Sequence, residues 1–151
     1  MLKELVIVTG LGTMGIACAR RLGNGRQLLL VDNDQIRLDQ AQNLLQEDGF
    51  AVDCQRLDLG DPESIQQLLS SAQQKQAPLR FLLHTAAVSP TMASASRIYQ
   101  VNLEGTARLL DSMLPCSRPV RSGSSLPVWG RNSCKCLPRS SCNWQLDGLK
   151  G

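Results

Sequence analysis

Val8-Thr9-Gly10-Leu11-Gly12-Thr13-Met14-Gly15-Ile16 follows the β-branched run Leu5-Val6-Ile7-Val8 and opens a helical stretch over 13–22. Its three glycines have the spacing G-x-G-x-x-G, which suits a tight turn from strand to helix. Gly10 permits the turn, Gly12 lets backbone approach a pyrophosphate, and Gly15 lets the helix pack closely on the strand. The helix start, with Thr13 and Met14 in its first turn, offers free N–H groups and a positive dipole end to phosphates. Such a glycine motif alone is also met in plain turns. Here the context strengthens it, because Asp32 falls 20 residues after Gly12, at the end of the next apolar run.

Asp32 can accept hydrogen bonds from both ribose hydroxyls of an adenosine, and it would repel a 2′-phosphate. Asn33 follows it, and the glycine loop holds no arginine. These residues point to NAD, with NADP less favoured. The competing reading of Asp32 is a cap for the helix that starts near Asp34.

The surrounding pattern alternates between strand and helix periods. Leu28-Leu29-Leu30-Val31 reads as a second buried strand. A helix over 35–47 carries Ile36, Leu38, Ala41, Leu44 and Leu45 at helical spacing, and Phe50 to Leu57 reads as a third strand. Asp61-Pro62-Glu63 has the form of a helix start, with an N-cap carboxylate and proline in the first turn. Ile65, Leu68 and Leu69 form that helix's stripe. Residues 79–85 read as a fourth strand. The last helix spans 95–114, with Ile98, Val101, Leu109, Leu110 and Met113. The order βαβαβαβα predicts an α/β fold, a Rossmann-like doubly wound parallel sheet that is incomplete at about four strands.

Composition bounds the rest. The 151 residues are 42% hydrophobic and 19% charged, as in a soluble globular chain. No apolar run approaches the roughly 20 residues of a membrane span. Met1-Leu2-Lys3-Glu4-Leu5 lacks the basic and apolar regions of a secretory signal. Six cysteines without such a signal suggest a cytoplasmic setting and free thiols. Cys18 and Cys54 fall on a helix and a strand and read as packing residues.

The chain also divides near Pro115. Residues 1–115 hold 10 Lys/Arg against 12 Asp/Glu, whereas 116–151 hold 6 Lys/Arg against Asp147 alone. The later stretch carries both tryptophans and four of the six cysteines, and it shows neither strand nor helix period. The domain expectation is therefore a partial dinucleotide-binding domain over 1–115 and an irregular basic tail over 116–151.

Four blocks in residues 1–115 resemble the short-chain dehydrogenase/reductase family. They are Thr9 to Gly15, Leu57-Asp58-Leu59-Gly60-Asp61-Pro62-Glu63-Ser64, His84-Thr85-Ala86-Ala87, and Val101-Asn102-Leu103-Glu104-Gly105-Thr106. The resemblance implies an NAD-dependent oxidoreductase acting on a small alcohol or carbonyl, with homo-oligomeric full-length relatives. It implies that Asp58 and the Leu59 backbone lie by the adenine. It implies that Thr85, Ala86 and Ala87 line the cofactor and that Asn102 supports a proton-relay water. Bland readings stand beside these: a loop cap for Asp58, a helix-surface asparagine for Asn102, and a strand-end residue held by backbone for His84. The glycine loop is a residue shorter than the family's usual form, which leaves the branch open.

One part of the family's pattern is missing. The resemblance calls for a serine after a fifth strand and a Tyr-x-x-x-Lys helix, where the lysine lowers the tyrosine pKa and the tyrosine exchanges a proton with substrate. The sole tyrosine, Tyr99, precedes Asn102, and Leu103 stands four residues after it. Two function classes follow: an oxidoreductase truncated before its catalytic pair and inactive alone, or a non-catalytic NAD-binding or regulatory module.

For the tail, three readings compete. Cys134, Cys136 and Cys142 could hold zinc, but C-x-C-x5-C lacks paired C-x2-C spacing and a clear fourth ligand. The net +5 could serve a nucleic acid or a membrane. The Arg, Ser, Pro, Cys, Gly and Trp bias best fits out-of-frame translation of a GC-rich gene. The expectation is accordingly no metal site, no nucleic-acid partner and no membrane partner. A fourth strand left without its next neighbour would give a marginally stable fragment with a half-built cleft.

Overall fold

A computed structural model describes residues 3–114; the zinc, basic-tail and frame readings fall on residues outside the described ones. Four short strands form a parallel sheet: β1 Leu5–Thr9, β2 Gln27–Asp32, β3 Ala51–Arg56 and β4 Leu79–His84, of which β1, β2 and β4 are rich in Leu, Val and Ile. Their spatial order is β3-β2-β1-β4. Parallel neighbours need long crossovers, and α1 Thr13–Leu22, α2 Gln35–Glu47 and α3 Pro62–Gln74 supply them. From β1 the chain builds outward through β2 to β3, then returns to place β4 on β1's other side. The glycine turn after β1 therefore opens at the point where the strand order reverses, the place where such sheets leave a crevice for ligands.

Period-two alternation on β1 and β2 divides the core. Leu5, Ile7, Leu29 and Val31 face one side and pack with Ile65, Leu68 and Ala72 of α3 and with Val101, Leu109 and Met113. Val6, Val8, Leu28 and Leu30 face the other and pack with Ala19 of α1 and Leu38, Ala41 and Leu45 of α2. Both central strands are covered on both faces, which explains why they read as continuous apolar runs rather than as alternation. Among the described residues, β4 is bonded to β1 only.

Three residues expected on apolar stripes are exposed. Ile36 is 67% exposed and Leu44 39%. The α2 residues that reach the core are Leu38, Ala41 and Leu45. Ile36 lies two positions before Leu38, and residues two apart on a helix face different ways. Leu110 follows Leu109, which points inward, and stands about 100° round the helix from it.

The last helical run is also not uniform. It begins as α4 Ala95–Ile98, widens into a π-helical stretch Tyr99–Gly105, and resumes as α5 Thr106–Met113. Apolar spacing does not distinguish these forms. The wide stretch ends where Gly105 lies flush on Leu59; a Cβ there would stand 2.9 Å from the Leu59 carbonyl carbon. Among the described residues, no helix is long and apolar enough to cross a membrane.

Candidate cofactor-binding site

The carboxyl ends of β1, β2 and β4 open into a cleft of about 830 Å³. Its floor is the glycine turn. Gly10 has φ +88°, a left-handed conformation, and a Cβ on it would come within 2.6 Å of the Ala86 Cα. A Cβ on Gly15 would stand 3.1 Å from the Thr85 Oγ1 and would also run into the Gly10 carbonyl. Both glycines are thus required by the protein's own packing. Gly12 differs. Its backbone is extended, with φ −74° and ψ −176°, and a Cβ there would meet nothing within 4 Å. The space above Gly12 is open cleft, which suits the close approach of a bound group.

The helices that flank this floor are capped differently. Asp34 accepts from the Ile36 and Arg37 N–H groups at the start of α2, and Asp61 accepts from Glu63 N–H at the start of α3. Helix α1 begins at Gly12 with no side-chain cap and no acid in its first turn. Its first N–H groups are thus left without a side-chain acceptor from a cap. Gly10 and Gly12 line the cleft; Thr13 and Met14 are exposed at the helix start and Gly15 is buried beneath it, so these three are not lining residues.

Asp32 is 8% exposed at the end of β2. Its Oδ2 accepts from the Leu11 N–H at 2.7 Å and its Oδ1 from the Asp34 N–H at 3.1 Å. The carboxylate therefore braces the glycine loop while lining the cleft. It takes no part in capping α2, since Asp34 does that. A carboxylate has about four acceptor positions, so two remain. Asn33 lies beside it on the rim, where Arg37 and Arg56 also line the cleft. Arg56 Nε donates to the Asn33 carbonyl at 3.1 Å, and Arg37 pairs with Asp34 at 3.5 Å. These arginines come from α2 and β3, so inspection of the glycine loop alone does not find them.

At the other end of this rim lie Asp58 and Leu59. Asp58 is engaged rather than free: Arg97 Nη2 stands 2.7 Å from each of its oxygens, and Gly60 N–H donates to Oδ1 at 2.8 Å. Burial pushes the Asp58 carboxyl up, but Arg97 and the Gly60 N–H outweigh it and hold it below its ordinary value. Nothing in the motif spacing announces Arg97, because 39 residues separate the partners.

The third wall is the end of β4, where Thr85, Ala86 and Ala87 line the cleft. The Thr85 hydroxyl donates toward the carbonyls of Thr9 and Gly10, so it also ties β4 to the glycine turn. His84 is held by hydroxyls, not by backbone: Nδ1 lies 2.6 Å from Thr9 Oγ1 and Nε2 lies 2.9 Å from Thr106 Oγ1. It pins β1 and α5 together. Asn102 lies outside the lining and clamps the β4 loop. Its Oδ1 accepts from Val88 N–H and its Nδ2 donates to Val88 carbonyl, both at 2.9 Å. Tyr99 is 66% exposed and is not a lining residue. Among the described residues, no cluster of three His, Cys, Asp or Glu side chains is placed to hold a metal.

A doubly wound parallel sheet with a glycine turn, an uncapped helix and an acid at the end of β2 defines a dinucleotide-binding fold. The chain belongs to the short chain dehydrogenase family, which matches residues 4–125. It is 31% identical over 106 residues to a short-chain dehydrogenase/reductase of Alternaria brassicicola, covering 70% of this chain and 38% of that protein. It is 29% identical over 123 residues to the human mitochondrial dehydrogenase/reductase SDR family member 2, covering 75% and 44%. Among solved structures, a Burkholderia phymatum short chain dehydrogenase/reductase in complex with NAD superposes with a TM-score of 0.67 at 24% identity, covering 76% of this chain and 44% of that one. An actinorhodin polyketide ketoreductase with NADPH gives 0.67 at 22%, covering 76% and 47%. The chain thus spans about two fifths of the length of the curated relatives it matches.

Two outcomes follow. Gly12→Ala keeps the melting temperature and weakens dinucleotide binding at least tenfold, whereas Gly10→Ala destabilises the fold by about 2 kcal/mol or more. Thermal melts with NADH titration check this, and equal destabilisation by both would contradict it. The second concerns pH. Burial holds the His84 pKa below its ordinary value. The neutral ring's stability is then complete above the unfolded pKa of about 6.5 and is lost as pH falls through the lower folded value. His84 is the sole histidine, so the melting temperature should fall from pH 6.5 toward 5 more steeply than in His84→Gln. Parallel profiles would refute this assignment.

Proposed function

We propose that the chain binds NAD in this cleft and is the cofactor-binding part of an NAD-dependent oxidoreductase acting on a small alcohol or carbonyl. The open space above Gly12, at the uncapped start of α1, carries this reading. In it the first-turn N–H groups of α1 hold the pyrophosphate, and Gly12 leaves room for it. Asp32 accepts from the adenosine ribose hydroxyls with its remaining lone pairs. Asp58 and the Leu59 backbone meet the adenine, and Thr85, Ala86 and Ala87 line the path toward the nicotinamide. Nicotinamide supplies the hydride donor or acceptor when bound. Asn102 serves the catalytic end by fixing the Val88 backbone. The Tyr-x-x-x-Lys pair of the resemblance does not occur in the 151 residues, so we take the chain to be inactive alone. On this reading 116–151 is out-of-frame sequence, and a restored frame encodes the missing pair. The free thiols of Cys18 and Cys54 fit a reducing cytoplasm.

A second reading, NADP, has an observation in its favour: Arg37 and Arg56 line the rim beside Asn33. Asp32 weighs against it, because a buried carboxylate beside a phosphate is a like-charge contact. Both arginines already have partners, Asp34 and the Asn33 carbonyl. A third, non-catalytic module would bind NAD and never turn over. Fluorescence titration separates these. NADH should bind at least tenfold tighter than NADPH, and a frame-restored chain should oxidise alcohols where this one does not. Equal or tighter NADPH binding would establish the second reading. Binding without activity in the restored chain would establish the third.

A further inference from the structure

Asp58 and Arg97 both line the cleft but come from different elements. Asp58 lies in the loop between β3 and α3, and Arg97 lies in α4. Their contact belongs to a closed ring of four residues. Arg97 Nη2 donates to both Asp58 oxygens, Arg97 Nη1 donates to Gln100 Oε1 at 2.9 Å, Gln100 Nε2 donates to the Gly60 carbonyl at 3.0 Å, and Gly60 N–H returns to Asp58. The Asp58 side chain is 45% exposed. A carboxylate that open would ordinarily turn freely, and a lone surface ion pair would fix it only weakly. The ring fixes it through two donor groups, Arg97 Nη2 and the Gly60 N–H. Oδ1 takes two donors, while Oδ2 takes Arg97 alone and keeps acceptor capacity, in a residue that lines the cleft.

We infer that Arg97 is a positioning residue: it holds the Asp58 carboxylate where Oδ2 accepts a hydrogen bond from a purine 6-amino group, and so sets a preference for adenine over 6-oxopurine dinucleotides. This rests on the cofactor reading given above. The chemistry follows from the donor set. A 6-amino group offers a donor to Oδ2. A 6-oxo group would bring a second acceptor against it, leaving both without a partner, and a site built to receive one hydrogen bond rejects the analogue that lacks it. The Arg97 charge offsets that of Asp58, so the pair presents lone pairs to a neutral base without a bare anion. Arginine suits the task better than lysine because its planar fork reaches Asp58 and Gln100 at once. Arg97 touches the acceptor and not the reacting atoms, so its effect belongs in cofactor choice.

The test is fluorescence titration of the full chain with NADH and with reduced nicotinamide hypoxanthine dinucleotide, in which the 6-amino group is replaced by 6-oxo. The wild type should prefer NADH by about tenfold. Asp58→Asn and Arg97→Ala should bring the two affinities within about threefold of each other. Arg97→Lys should keep an intermediate preference, and it still reads the effect if the alanine variant does not fold. Arg97 variants that weaken both dinucleotides equally, with the ratio kept, would show a merely structural role and overturn the proposal. A wild type that binds NADH without preferring it over the hypoxanthine analogue would also overturn it, and would leave the cofactor reading standing. No binding of either dinucleotide would overturn that reading and the proposal together.

Discussion

The hydrogen bond from the Leu11 N–H to Asp32 Oδ2, at 2.7 Å, is the contact on which the cleft depends. A loop at the end of a parallel strand has no ladder to hold it, and its backbone groups need partners. Asp32 supplies one from the neighbouring strand. It also accepts from Asp34 N–H, so a single carboxylate fixes the turn after β1 and the turn after β2. Thr85 completes the frame from the third strand, through the carbonyls of Thr9 and Gly10. With both turns fixed, the open position at Gly12 is held ready before any ligand arrives. Such preorganisation lowers the ordering cost of binding.

That frame stands on the sheet. β1 lies between β2 and β4, and its residues divide strictly between two clusters. A one-residue slip of β1 would exchange the two faces and carry Thr9 and Gly10 away from Val31 and Thr85. The same buried alternation that stabilises the domain therefore sets the register of the site. Gly105 against Leu59, Asn102 on Val88 and Thr106 on His84 then attach the last helical run to the sheet. The π-helical stretch lies within these attachments, in keeping with the frequent occurrence of such stretches at functional sites.

Much of this is legible in the sequence because the signals are local. Strand runs such as Leu28 to Val31, the Asp61-Pro62 helix start and the glycine spacing each lie within a few residues. The second task of Asp32 is not legible, since motif spacing places its partner in the ligand and the structure places another in Leu11. Arg97 on Asp58, Thr106 on His84 and Arg56 on Asn33 are contacts between side chains and atoms 22 to 39 residues apart. Such pairs depend on how helices sit over the sheet, which no period encodes. Ile36 and Leu110 were readable in principle: each lies off the stripe of its helix by angle, although its hydrophobicity fits.

Amide hydrogen exchange on the free and NADH-bound chain tests the central claim, that a preformed anion-binding turn awaits a dinucleotide. The Leu11 amide should be protected already in the free protein by its buried bond to Asp32. The amides of Thr13 and Met14 should exchange readily and gain protection only when NADH is added. A Leu11 amide that exchanges at the rate of an open loop, or first-turn amides that NADH leaves unchanged, would contradict the account.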